Sequence, residues 1–172
     1  MNKSINRKEF LFALIASLCF IVLALFSFFE DIWFAKTALL GGIRFTDVLE
    51  WLVFAALAVT LFMENRRAFL VAASVCALVR FLNMVLLFDT PALFSFLACA
   101  ALVGVTLLAI LENPLAEKTW FIPGALMLIG CLICWFSYKY FSNLALMWKT
   151  MLGTLIEAAA ILFAGRWLKE RG

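Results

Sequence analysis

Residues 66–90 read RRAFLVAASVCALVRFLNMVLLFDT. Glu64-Asn65-Arg66-Arg67 marks one boundary of this stretch and Asp89-Thr90-Pro91 the other, and the run 68–88 between them carries a single charge, Arg80. As a helix rising about 1.5 Å per residue, that run would be about 31 Å long. The hydrocarbon core of a bilayer is about 30 Å thick, so the segment reads as a membrane-spanning helix with one arginine inside it.

Five further apolar runs surround it, and the expected helices are 9–29, 47–64, 68–88, 91–112, 119–141 and 144–165. Composition agrees: 67% of the 172 residues are hydrophobic and 15% are charged, whereas a soluble domain holds roughly half apolar and about a quarter charged residues. The breaks between runs carry charge or turn chemistry, as in Glu30-Asp31, Glu112-Asn113-Pro114 and Ser142-Asn143. Short turns join helices 2 and 3, 3 and 4, and 5 and 6, so each of these pairs reads as an antiparallel hairpin. The fold expected is all-α, a polytopic integral membrane protein with one six-helix domain spanning residues 1–172. No room remains for a soluble catalytic domain.

Positive residues set the expected orientation, because short loops and helix flanks rich in Lys and Arg stay in the cytoplasm. Lys3, Arg7, Lys8, Arg66, Arg67, Lys118, Arg166, Lys169 and Arg171 fall on one side, against Lys36, Arg44 and Lys139 on the other. Both termini are therefore expected to be cytoplasmic, in a multi-pass protein of the cytoplasmic (inner) membrane. The first run, ending in Phe-Phe-Glu-Asp, is too long for a signal peptide and reads as a retained helix. The net charge of +3 is explained by these flanks, and no nucleic-acid partner is inferred.

The external connection 30–46, EDIWFAKTALLGGIRFT, is the longest. Its Trp33, Phe34, Leu39, Leu40 and Ile43 suit a lid over the bundle or an interfacial anchor, with Gly41-Gly42 as a joint. Helices 2 and 4 also resemble one another: Ala55–Leu61 is similar to Ala100–Leu107, and both helices end in Glu-Asn. A repeat of three hairpins would fit six spans.

Charges inside a membrane are costly and mark candidate sites. Glu50, Arg80, Lys149 and Glu157 lie within the apolar runs, the first three in the expected outer half and Glu157 deeper. Asn83 follows Arg80 at i+3, and Glu50 follows Asp47 at i+3. Lys149, Gly153 and Glu157 form one stripe at i, i+4 and i+8 beside Thr150 and Thr154. With Trp51, Trp135 and Trp148 as aromatic walls, these residues define a substrate pocket open to the outside. Arg80 or Lys149 would hold an anionic group there and Glu50 a cationic or hydrogen-bonding one. The competing reading pairs Arg80 with Glu50 or Glu157 to hold the bundle together, while Lys149 snorkels to the interface and the aromatics serve as belt residues.

The chain contains no histidine, which excludes histidine-ligated haem, HExxH zinc chemistry and Ser-His or Cys-His nucleophiles. It also lacks a Walker motif, a Gly-rich nucleotide loop and Gly-x-Ser-x-Gly. No catalytic residue, metal site or cofactor is assigned. Cys131-Leu132-Ile133-Cys134 has the spacing of a redox pair, and membrane thiol oxidoreductases of the quinone-linked type are similar in size. Those proteins also need a loop-borne cysteine pair, and Cys19, Cys76 and Cys99 all fall inside helices.

In layout the chain resembles the substrate-binding S components of energy-coupling-factor vitamin transporters. They too have about this length, six helices, cytoplasmic termini, a long first external loop over a pocket in the outer half, and no ATPase motif. The resemblance implies a solute-binding subunit that works with a membrane partner docked through small residues of helix 1, where this chain offers Ala13 and Ser17. It implies no particular vitamin. The leading expectation is thus a small-solute binding or transport subunit in the lipid bilayer, with a possible membrane protein partner. The alternatives are a non-catalytic membrane scaffold or accessory subunit and, third, a thiol oxidoreductase using Cys131 and Cys134.

Overall fold

The computed structural model describes residues 7–37, 45–87, 90–140 and 144–170, with side chains over 7–29, 48–86, 93–133, 135–136 and 151–170. Among the described residues the chain is helical throughout: α1 (Arg7–Thr37), α2 (Phe45–Phe62), α3 (Arg66–Leu87), α4 (Thr90–Ile110), α5 (Leu115–Thr119), α6 (Ile122–Tyr140) and α7 (Leu144–Glu170). Five segments are long and apolar enough to cross a membrane, and the sixth, in α2, is the shorter apolar run Val48–Phe62. The protein is a multi-pass helical bundle of the membrane.

The six long helices form a closed ring. Each of α1, α2, α3, α4, α6 and α7 packs against the next in that order, α7 returns to α1, and α4 also touches α7 across the middle. Small side chains let the backbones approach, including Ala13 and Ala16 on α1, Ala73 on α3, Ala98 on α4 and Ala160 and Ala164 on α7, all buried. Larger rings fill the remaining space: Phe20 stacks on Phe54 at 6.0 Å and Phe69 meets Trp167 edge-on at 5.6 Å. The outward faces are apolar, as with Leu18, Val22, Val75 and Leu78, which is the surface lipid requires.

The helix ends differ from the expected boundaries for local reasons. α1 does not stop at Phe29 but continues through Glu30–Thr37, and α2 begins at Phe45, so more than half of the expected external loop is helix. Neither Gly nor Pro interrupts that stretch before Gly41-Gly42. At 31 residues α1 is about 46 Å long, more than a hydrocarbon core can hold. The remainder of the expected lid, 38–44, lies outside the described residues. The long helix of the fifth span, α6, begins at Ile122 rather than 119, with Pro123 in its first turn, where a missing N–H costs nothing. α7 runs past 165 to Glu170, and its last turn holds an Arg166–Glu170 ion pair at 2.7 Å. Gly165 lets α7 lie against the backbone of Trp120, since a Cβ there would strike the Trp120 carbonyl oxygen.

The two Glu-Asn sequences are built alike. Asn65 N–H donates to Thr60 O at 3.1 Å and Glu64 N–H to Leu61 O at 2.9 Å; Asn113 N–H donates to Leu108 O at 3.0 Å and Glu112 N–H to Ala109 O at 3.4 Å. This is the paired Schellman closure of a helix end, and it requires the left-handed backbone found at Glu64 (φ 51°) and Glu112 (φ 53°). Each asparagine then starts the next element, Asn65 Oδ1 accepting from Ala68 N–H and Asn113 Oδ1 from Leu115 N–H. Arg66 ties the two turns together, donating from Nη1 to Ala109 O at 3.0 Å.

Candidate functional site

The interior of the ring holds a charged centre that draws on four helices. Arg80, seven residues from the end of α3 and so about 10 Å from it, directs its guanidinium across the ring. Its Nη1 lies 2.9 Å from Glu50 Oε1 on α2, and its Nη2 lies 3.1 Å from Glu157 Oε2 on α7. Each carboxylate also accepts from a neutral donor through its other oxygen. Asn83 Nδ2 donates to Glu50 Oε2 at 3.1 Å, and Ser95 Oγ on α4 donates to Glu157 Oε1 at 2.6 Å. The guanidinium carbon sits 5.1 Å from the centroid of the Phe54 ring, which shields one of its faces.

Helical spacing explains how these groups converge. Arg80 and Asn83 are i and i+3 on α3, and Glu50 and Phe54 are i and i+4 on α2, so each pair occupies one inward face. Glu157 is the thirteenth residue after the start of α7 and is 4% exposed, deep enough to be removed from water. Asn83 and Ser95 are buried as well, while Arg80 and Glu50 keep a small exposed fraction. In low dielectric the attraction of an arginine for a carboxylate is strong, yet the desolvation of each ion is of similar size, so the hydrogen bonds from Asn83 and Ser95 matter.

Of the residues expected to line the site, Glu50, Arg80, Asn83 and Glu157 are brought together. Trp51 faces α1, meeting Phe28 edge-on at 5.0 Å. Trp135 is 36% exposed and packs on its neighbour Phe136 at 5.0 Å. Trp148 and Lys149 belong to α7, but their side chains lie outside the described residues, as does that of Asp47. Both terminal nitrogens of Arg80 engage carboxylates, as the competing pairing reading has it. Ala13 and Ser17, the small pair expected to face a membrane partner, are buried in the bundle, and Ser17 Oγ donates to Ala58 O at 2.9 Å.

Ser95 and Phe54 were not legible as site residues from the sequence. Ser95 had one weak signal, a polar stripe on α4 with Cys99 and Thr106 at i+4 and i+11, and Phe54 had only its spacing from Glu50. Cys131 is buried on α6 and the side chain of Cys134 lies outside the described residues, whereas Cys76 and Cys99, far apart in sequence, place their Sγ atoms 3.6 Å apart. A separate cavity of about 120 Å³ lies at the other end of the bundle, between the second Glu-Asn turn and the end of α7. Glu112, Glu117 and Lys169 line it, and none of the residues of the charged centre does.

Fold and charged centre together define a class, a helical-bundle membrane protein with a buried carboxylate–guanidinium–carboxylate centre. No family model, curated protein or solved structure matches the chain.

Proposed function

We propose that the protein is a small-solute binding or transport subunit of the cytoplasmic membrane, with both termini cytoplasmic, its spans paired as antiparallel hairpins, and its site built on Glu50, Arg80 and Glu157. The observation that carries this reading is the sharing of one buried guanidinium by two carboxylates from different helices. A packing pair needs one carboxylate for one guanidinium, and a second buried carboxylate adds a desolvation cost of its own. Here Glu50 and Glu157, from two helices that are not neighbours in the ring, share Arg80. Two carboxylates facing one interior suit a solute that brings them a cationic or hydrogen-donating group. An anionic group would reach Arg80 only by displacing one of them. Movement of α7 relative to α2 and α3 would remake these contacts, which is how binding would be coupled to a change of shape. The S-component layout accords with such a subunit, although the burial of Ala13 and Ser17 removes the docking face that the resemblance supplies.

The accessory-subunit reading is favoured by a different observation, that the terminal nitrogens of Arg80 already have partners within the chain. Native mass spectrometry of the protein released from mild detergent separates the two. A stoichiometric small molecule that is retained by the wild type and lost in Glu50→Gln is the expected result. A wild type that carries only lipid or a protein partner, together with a folded double variant Arg80→Glu, Glu50→Arg that behaves as the wild type, would replace solute binding with the scaffold reading.

A further inference from the structure

We propose that Cys76 and Cys99 are a redox-active dithiol that hydrogen peroxide converts to a disulfide joining α3 to α4 inside the bundle. The Sγ atoms are 3.6 Å apart, in contact, and the residues are 3% and 4% exposed. Closing to the S–S bond length of about 2.05 Å needs a sulfur displacement of about 1.6 Å, shared between two side chains on adjacent helices. The pair connects different helices, unlike Cys131 and Cys134, which sit one turn apart on the same helix and would have to unwind it.

Placement gives the bond a consequence. Cys76 is one helical turn before Arg80 on α3, and Cys99 is one turn after Ser95 on α4. Arg80 and Ser95 are the two residues that hold Glu157. A covalent tie at this level would fix the spacing of the two helices that grip α7, and would restrict any rearrangement of the charged centre. Burial also defines the oxidant, since charged reagents and bulky ring compounds are excluded from thiols this enclosed. A small, uncharged peroxide meets both conditions.

The chemistry balances in two steps. The sulfur of one cysteine, having given up its proton, attacks one peroxide oxygen. The S–O bond forms as O–O breaks, and the departing hydroxide takes the proton to become water. The second sulfur then displaces hydroxide from the sulfenic acid, forming S–S, and that hydroxide leaves with the second thiol proton as another water. Two electrons pass from the thiols to one peroxide.

The experiment is peroxide treatment of the intact protein in mild detergent, followed by alkylation of remaining thiols under denaturing conditions, trypsin digestion and mass spectrometry. Cleavage after Arg67, Arg80 and Lys118 places Cys76 in the peptide 68–80 and Cys99 in 81–118, whereas Cys131 and Cys134 share 119–139. The expected product joins 68–80 to 81–118, is missing the two thiol hydrogens, separates on reduction, and does not form in Cys99→Ser. Both thiols alkylated after saturating peroxide, or an oxygen added to one cysteine without the cross-link, would overturn the proposal. The wild-type digest alone decides this, so the result does not depend on the variant folding.

Discussion

At the scale of the residue, Arg80 determines whether the two carboxylates are tolerated inside the bundle. Replacing it with methionine removes the guanidinium that Glu50 and Glu157 share, and breaking a buried ion pair from one side costs about 3–5 kcal/mol. Thermal unfolding in detergent should therefore show Arg80→Met as strongly destabilised. Arg80→Lys should fall between it and the wild type, because an ammonium is a point charge and lacks the planar fork that reaches two carboxylates at once. Ser95→Ala removes the 2.6 Å hydrogen bond to Glu157, and a bond to a charged group is worth about 1.5–3 kcal/mol. If Arg80→Met unfolds at the wild-type temperature, the centre does not stabilise the bundle. Legibility at this scale was mixed. A charge in an apolar run stands out by its cost, which is why Glu50, Arg80 and Glu157 could be read from the sequence. A serine in such a run costs little and passes unmarked.

At the scale of the element, the two Glu-Asn turns show which parts of a helix end are set by local sequence. Asparagine before a helix caps it in any context, and removing Asn65 with Asn65→Ala should cost about 1 kcal/mol in the same unfolding assay. Glutamate at a left-handed position is unfavourable by about 1–2 kcal/mol, a cost glycine does not bear. Glu64→Gly and Glu112→Gly should each raise the midpoint of unfolding, the gain in stability being up to about 1 kcal/mol once the greater freedom of glycine in the unfolded chain is included. A lowered midpoint in both variants would mean that the glutamate side chains contribute more than the backbone loses. The similarity of helices 2 and 4 thus has a local counterpart, a shared way of ending. The boundaries that sequence reading placed early, at 29 and 165, were drawn where charge or glycine appears, yet a helix continues through both when nothing competes for its hydrogen bonds.

At the scale of the whole molecule, the ring brings one end of several helices together. Arg66 reaches the end of α4, Phe69 meets Trp167 near the end of α7, and Arg166 lies between the rings of Phe12 and Trp120, 5.5 and 5.4 Å from their centroids. This is the end rich in Lys and Arg, and the orientation proposed above puts it in the cytoplasm. With the native cysteines replaced, Glu112→Cys should react with a membrane-impermeant maleimide only after the membrane is opened, and Asp89→Cys should react from outside in intact cells. The reverse pattern would invert the topology.

The sequence by itself determined that this chain is a bundle of membrane helices, because the length and hydrophobicity of each run are local quantities that the bilayer tests one segment at a time. It also marked the charges that must find partners. Only the tertiary structure decided which partners those are. Arg80 stood equally open to Glu50, Glu157 or a solute, and the closed ring, with α2, α3, α4 and α7 facing one interior, joined it to both carboxylates and set Cys76 against Cys99. Residues 77 and 23 positions apart meet because of how helices pack, and that depends on the shapes of all six spans together rather than on any run read alone.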